Sequence, residues 1–162
     1  MRILRVAPLV VVLLIFAPFA FAQPWTGAAG AGVPDESAAG IYDATVGSVG
    51  YNASGSTASI VLRYVLTDTS ATGVPSWTTI AVDGWDPNPG SLIRARLYRL
   101  APSGTNTMMT SCSTNDSAGF TTTTCPLLGS VNFNTGDTYT IEVTITRTTS
   151  TDAPRFRSVR LY

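Results

Sequence analysis

Two carboxylates and an amide oxygen fall within six residues at Asp83, Asp86 and Asn88, in the run Asp83-Gly84-Trp85-Asp86-Pro87-Asn88-Pro89-Gly90. Hard cations such as calcium take oxygen donors of this kind. The same groups hydrogen-bond sugar hydroxyls, and the Trp85 indole offers a flat apolar face for sugar C–H groups. Trp85, Asp83, Asp86 and Asn88 are therefore the candidate ligand-binding residues, with Asp83, Asp86 and Asn88 as the calcium set. Plainer readings stand beside these. The spacing is not the alternating EF-hand pattern, no bidentate Glu follows, and Asx residues make turns without a metal. A ring flanked by turn residues also serves to cap the end of a core.

The rest of the chain excludes more chemistry than it offers. It has no His, and all ten of its basic residues are Arg. That removes His-based general base catalysis, Ser-His-Asp and Cys-His systems, His-ligated zinc, Ser-Lys dyads and Schiff bases. Paired carboxylates remain available for glycoside chemistry. Yet the two glutamates, Glu36 and Glu142, fall in different settings, and nothing pairs Asp43, Asp83 and Asp86 in sequence. No catalytic residue is assigned, and the chain is not expected to be an enzyme. Arg94, Arg96, Arg155, Arg157 and Arg160 lie on expected strands. They would line a face suited to an anionic polysaccharide, or simply pair with acids and blunt strand edges.

The two cysteines, Cys112 and Cys125, flank Ser113-Thr-Asn-Asp-Ser-Ala-Gly119. An even pair in an exported chain reads as a disulfide. If the chain reverses near Ala118-Gly119, they face each other across a hairpin. The spacing is not C-x-x-C, which argues against a redox pair. Export itself is read from 1–22: Arg2 and Arg5, a nearly unbroken apolar run from Val6 to Phe16, then Ala20-Phe21-Ala22, an A-x-A cleavage site. The run is shorter than the roughly 20 residues that span a bilayer and contains Pro8, with Pro18 following. Cleavage leaves 140 residues with eight Arg against ten acidic groups, and no membrane span in the mature chain. No basic excess favours nucleic acid. The expected location is secreted or periplasmic. Asn52-Ala53-Ser54 and Asn115-Asp116-Ser117 match the glycosylation sequon, which matters only in a eukaryotic host.

The elements that must position these groups are strands. Residues 23–40 are rich in Gly, Ala and Pro without apolar periodicity, which reads as a flexible arm, with one helical turn started by Pro34-Asp35-Glu36-Ser37. From Ile41, short Thr-, Val- and Ile-rich runs alternate with turn residues, giving eight strands at 41–50, 58–67, 77–84, 91–100, 105–112, 119–125, 138–148 and 155–161. Tyr139, Ile141, Val143 and Ile145 alternate with Thr140, Glu142, Thr144 and Thr146, so one face is buried and one is wet. Ile93, Ala95 and Leu97 alternate with Arg94, Arg96 and Tyr98 in the same way. The 59–66 segment is apolar on both faces apart from Arg63, which suggests a central strand. The expectation is a domain over 41–162, all-β, an antiparallel two-sheet sandwich of jelly-roll or immunoglobulin-like type. On this reading the protein is an exported binding or surface-interaction module for a glycan or another cell-envelope component. The alternatives are a structural subunit of a surface assembly and an eight-stranded outer-membrane barrel.

Overall fold

The computed structural model describes residues 23–53, 55–68 and 73–162. The segment 1–22, and with it the signal-peptide reading, lies outside them, as does Ser54 of the first sequon. Eleven strands occur among the described residues: β1 (Trp25–Ala28), β2 (Val33–Pro34), β3 (Tyr42–Thr45), β4 (Ser48–Tyr51), β5 (Ile60–Val65), β6 (Thr79–Trp85), β7 (Ser91–Leu100), β8 (Asn106–Ser113), β9 (Thr121–Pro126), β10 (Thr138–Arg147) and β11 (Arg155–Leu161). They form two antiparallel sheets. The six-stranded sheet runs β3-β4-β11-β6-β9 with β1 also on β11, and the five-stranded sheet runs β2-β5-β10-β7-β8.

The expected alternation builds the core. Tyr139, Ile141, Val143 and Ile145 of β10 are all buried, and in register with them lie Ile93, Ala95 and Leu97 of β7 and Ile60, Leu62 and Tyr64 of β5. Facing them across the sandwich are Ile80 and Val82 of β6 and Phe156, Val159 and Leu161 of β11. Two open sheets with a filled apolar interior and arginines on their outer sides are not a barrel, so the outer-membrane alternative is corrected.

Other expectations differ in detail. The 41–50 run is not one strand but the hairpin β3–β4, turned at Val46-Gly47, where Gly47 has φ 86°. Residues 23–40 are not a free arm. β1 pairs β11 over four residues, β2 pairs β5 over two, and Asp35 caps a 3-10 turn by accepting from Ser37 N at 3.1 Å. Runs this short and this poor in large side chains leave no period to read. β5 is not central: β10 pairs one side of it, only two-residue β2 covers the other, and its outward Val65 is 66% exposed.

The disulfide joins Cys112 of β8 to Cys125 of β9, with Cα atoms 5.5 Å apart. It is not a hairpin bridge. β8 is the edge of one sheet and β9 the edge of the other, so the bond ties the two sheets together. Beside it Thr110 Oγ1 donates to Pro126 O at 2.8 Å and Leu128 N donates to Met109 O at 3.1 Å. The closed loop shuts this side of the sandwich.

Candidate functional site

β6 carries three of the residues around the expected site, and its alternation separates them. Gly84 faces the core, where a Cβ would stand 2.6 Å from Ile93 Cδ1. Glycine there lets Ile93 pack beneath the strand, and it sends Asp83 and Trp85 to the opposite, outer side. Trp85 therefore neither projects from a loop nor caps the core. It ends a strand on the solvent side of the six-stranded sheet, opposite Arg155 of β11. It is half-buried there, 6.4 Å from the ring of Phe120. Its indole N–H is buried without an acceptor among the described residues.

Asp86, three residues beyond Asp83, lies on the other side of the strand line and is 1% exposed. Its Oδ1 accepts from Ser91 Oγ and its Oδ2 from Thr114 Oγ1 at 2.8 Å. Its carbonyl accepts from Ser117 N at 2.7 Å. The Asn88 side chain donates to Asp152 Oδ1 at 2.7 Å and accepts from Gly90 N at 3.0 Å. Asp83 meets Arg157 at 3.5 Å. The three oxygen-bearing residues of the calcium set thus point to different neighbours, and they are not gathered around one point. No group of three or more His, Cys, Asp or Glu side chains is placed to hold a metal ion among the described residues. Asp86 and Asn88 hold the 86–90 loop against β7, the 114–117 segment and the 148–154 loop; Asp83 and Trp85 remain on the surface.

What surrounds that pair was not read from the sequence. β11 carries apolar residues at 156, 159 and 161, a spacing that breaks strict alternation. A β-bulge between Phe156 and Ser158 absorbs the extra residue, so all three apolar side chains stay in the core. The consequence on the outer side is that Arg155, Arg157 and Arg160 come from one strand onto one face. Arg157 lies over the Phe120 ring, its Cζ 3.9 Å from the centroid. Arg155 reaches Asp43 of β3 at 3.7 Å across Gly50, where a Cβ would stand 2.7 Å from Arg155 Cδ. In register on β9, Thr122 lies opposite Asp83 and Thr124 opposite Ala81, which puts two exposed hydroxyls on the same face. Among the described residues the face therefore gathers the Trp85 and Phe120 rings, the guanidinium groups of Arg155, Arg157 and Arg160, the carboxylates of Asp43 and Asp83, and the Thr122 and Thr124 hydroxyls.

The other arginines expected on strands are elsewhere. Arg94 and Arg96 lie on the outer side of the five-stranded sheet, where Arg96 approaches Glu142 at 3.7 Å and Arg94 Nε donates to Ser113 Oγ at 3.2 Å. Glu142 also meets Arg63 at 3.5 Å, and Arg63 meets Asp35 at 2.6 Å. Arg63 and the Ser37 backbone hold the Asp35 carboxyl down at about 2.

No protein-family model and no curated protein matches this chain. Among solved structures it is similar to the family 11 carbohydrate-binding module of the cellulosomal cellulase Lic26A-Cel5E of Clostridium thermocellum. The identity is 13%, over 85% of this chain and 86% of that one, with a TM-score of 0.45. It is also similar to a family two carbohydrate esterase from Cellvibrio japonicus, at 12% identity and TM-score 0.47. An exo-beta-1,3-galactanase from Phanerochaete chrysosporium matches at 12% and 0.47. The chain covers 86% and 87% of its own length in these two, but only about a third of theirs (33% and 30%).

Proposed function

We propose that this chain is an exported, non-catalytic β-sandwich module that binds a glycan on the outer face of its six-stranded sheet. The observation that carries the reading is the Trp85–Phe120 pair on the solvent side of that sheet, set among the Asp83 carboxylate, the Arg157 guanidinium and the Thr122 and Thr124 hydroxyls. A wet sheet face does not need two large rings in order to fold. Flat apolar surface bordered by a few hydrogen-bonding groups is what a saccharide ring requires. Apart from Phe120, which directly precedes β9, these groups are held on strands more firmly than loops would hold them, so little ordering entropy opposes binding.

The chemistry supports binding over turnover. His and Lys are missing from the whole chain. Glu142 stands between Arg63 and Arg96, an arrangement that suits a structural ion pair. The apolar N-terminal run and the disulfide support export.

The test is a glycan array probed with wild-type protein, Trp85→Ala and Phe120→Ala, each with and without a chelator. Circular dichroism on each variant establishes folding. The reading predicts that wild type retains at least one glycan, that both folded variants lose it, and that the chelator changes nothing. No glycan bound, or equal binding by folded variants, overturns it.

A further inference from the structure

The glycan-binding reading leaves open what kind of saccharide this face would take, and its three arginines bear on that. We propose that the ligand is anionic, a saccharide carrying carboxylate or sulfate groups, with Arg157 and Arg160 as the groups that grip the charge. This rests on the binding reading above and narrows it.

Arginines on the two sheets differ in what already holds them. On the five-stranded sheet Arg63 is taken by Asp35 and Glu142, Arg96 by Glu142 and Arg94 by Ser113. On the six-stranded sheet the Arg160 side chain makes no hydrogen bond or ion pair among the described residues. Arg157 Nη1 donates to Asp83 Oδ2 only at 3.5 Å, while its Cζ lies over the Phe120 ring, 3.9 Å from the centroid. A ring beneath the guanidinium holds it against the sheet, and the N–H groups other than the one on Asp83 are left to meet a carboxylate or sulfate, for which a guanidinium is well suited. Three guanidinium groups face two carboxylates on this surface, although acids outnumber bases once the first 22 residues are set aside. The face is therefore locally cationic in a chain that is not, and it attracts anions at longer range.

The bulge in β11 decides the geometry. Without it, alternation would send Arg157 and Arg160 to opposite sides. With it both face outward, at most about 10 Å apart along the strand, three residues at about 3.3 Å each. An extended glycan with charge on successive or alternate rings would meet Arg157 and Arg160 in turn, with the Trp85–Phe120 surface alongside.

The experiment compares oligogalacturonate with the same oligomer after carboxyl reduction to the neutral sugar, and adds a sulfated galactan and its desulfated form. Titrations use wild type, Arg160→Gln, Arg157→Gln and Phe120→Ala at low and high sodium chloride. The proposal expects the acidic member of at least one pair to bind about tenfold or more tighter than its neutral partner, the factor one charge-assisted hydrogen bond supplies. It expects Arg160→Gln to lose most of that margin while unfolding at the wild-type midpoint, and salt to weaken only the acidic ligand. Which pair responds separates carboxylate from sulfate. If neutral and acidic partners bind alike and both depend on Phe120, the anionic assignment fails and glycan binding stands. If no member of either pair, nor any arrayed glycan, binds, both fail. If acidic ligands bind but Phe120→Ala and Arg160→Gln are indifferent, the charge is read elsewhere and the proposal is overturned.

Discussion

Replacing Thr114 by Val should cost far more than an isosteric change on a sandwich rim ordinarily would. The hydroxyl it removes has two buried duties. It donates to Asp86 Oδ2 at 2.8 Å and accepts from Ile93 N at 3.1 Å, where β8 has ended and no backbone carbonyl takes its place. Asp86 is 1% exposed, Thr114 4% and Ile93 0%, so water cannot replace either bond. Shape is conserved, so no cavity term enters. The loss is one charge-assisted bond, about 1.5–3 kcal/mol, plus an orphaned buried N–H, about 1–3 kcal/mol, or roughly 2.5–6 kcal/mol together. That is a large fraction of the 5–15 kcal/mol typical of a domain. Thr114→Ser keeps the hydroxyl and should lose no more than about 1 kcal/mol, chiefly its buried methyl. Thr122→Val, on the exposed outer face, should stay within about 0.5 kcal/mol. Urea denaturation of the disulfide-intact protein, followed by tryptophan fluorescence and circular dichroism, reads all three. A Thr114→Val loss below about 1 kcal/mol, or equal losses for Val and Ser, would refute the idea that Asp86 is held by buried hydroxyls that water cannot replace.

Three other outcomes follow from the fold. Joint replacement of Cys112 and Cys125 by Ala should lower stability by about 3 kcal/mol on the chain-entropy account of a loop this size. Amide exchange should then accelerate first in β8 and β9, because the bond joins the edges of different sheets; uniform acceleration would contradict that placement. Ile141→Asp should prevent folding by burying an unpaired charge, whereas Thr144→Asp on the outer side should fold, and equal tolerance in a solubility and dichroism assay would refute the alternation. The Asp35 carboxyl, lowered to about 2 from an ordinary 3.8, contributes stability that is present above the ordinary value and disappears as pH falls toward 2. Carbon-detected NMR titration should find Asp35 still charged at pH 3, and Asp35→Asn should flatten the stability profile only below about pH 4. An ordinary Asp35 titration near pH 4 would contradict its tie to Arg63.

Local pattern made much of the architecture legible. Strict alternation in 139–146 and 93–98 gave the buried and wet faces of β10 and β7 as they stand. The 41–50 segment misled because Val46-Gly47 is a turn whose Val fits a strand pattern equally well; only the positive φ at Gly47 distinguishes it. The 23–40 segment misled because small residues pair through backbone, which carries no hydropathy signal. The cysteines could be paired from composition, but the assignment of their strands to different sheets depends on register across the whole molecule. At the candidate site, the outward placement of Asp83 and Trp85 follows from alternation once β6 is known to continue through Trp85. Asp86 and Asn88 are acids and amides used internally, and no spacing separates that use from ligand binding. Arg157 and Arg160 reach the face through strand register, and Phe120 joins them from the residue just before β9. Their one sequence trace is the 156, 159, 161 spacing that demands a bulge.

The most direct test of the glycan-binding face is an indole N–H titration by NMR, using a glycan retained on the array. The three tryptophans sit in separate places: Trp77 in the core donating to Gln23 O at 3.0 Å, Trp25 against Tyr64 at 6.1 Å, and Trp85 on the outer face beside Phe120. The account predicts that the Trp85 indole resonance and the Arg157 Nε–H shift together and saturably, while those of Trp25 and Trp77 stay in place. Saturable shifts confined to Trp25 or Trp77, with Trp85 unmoved, would contradict it.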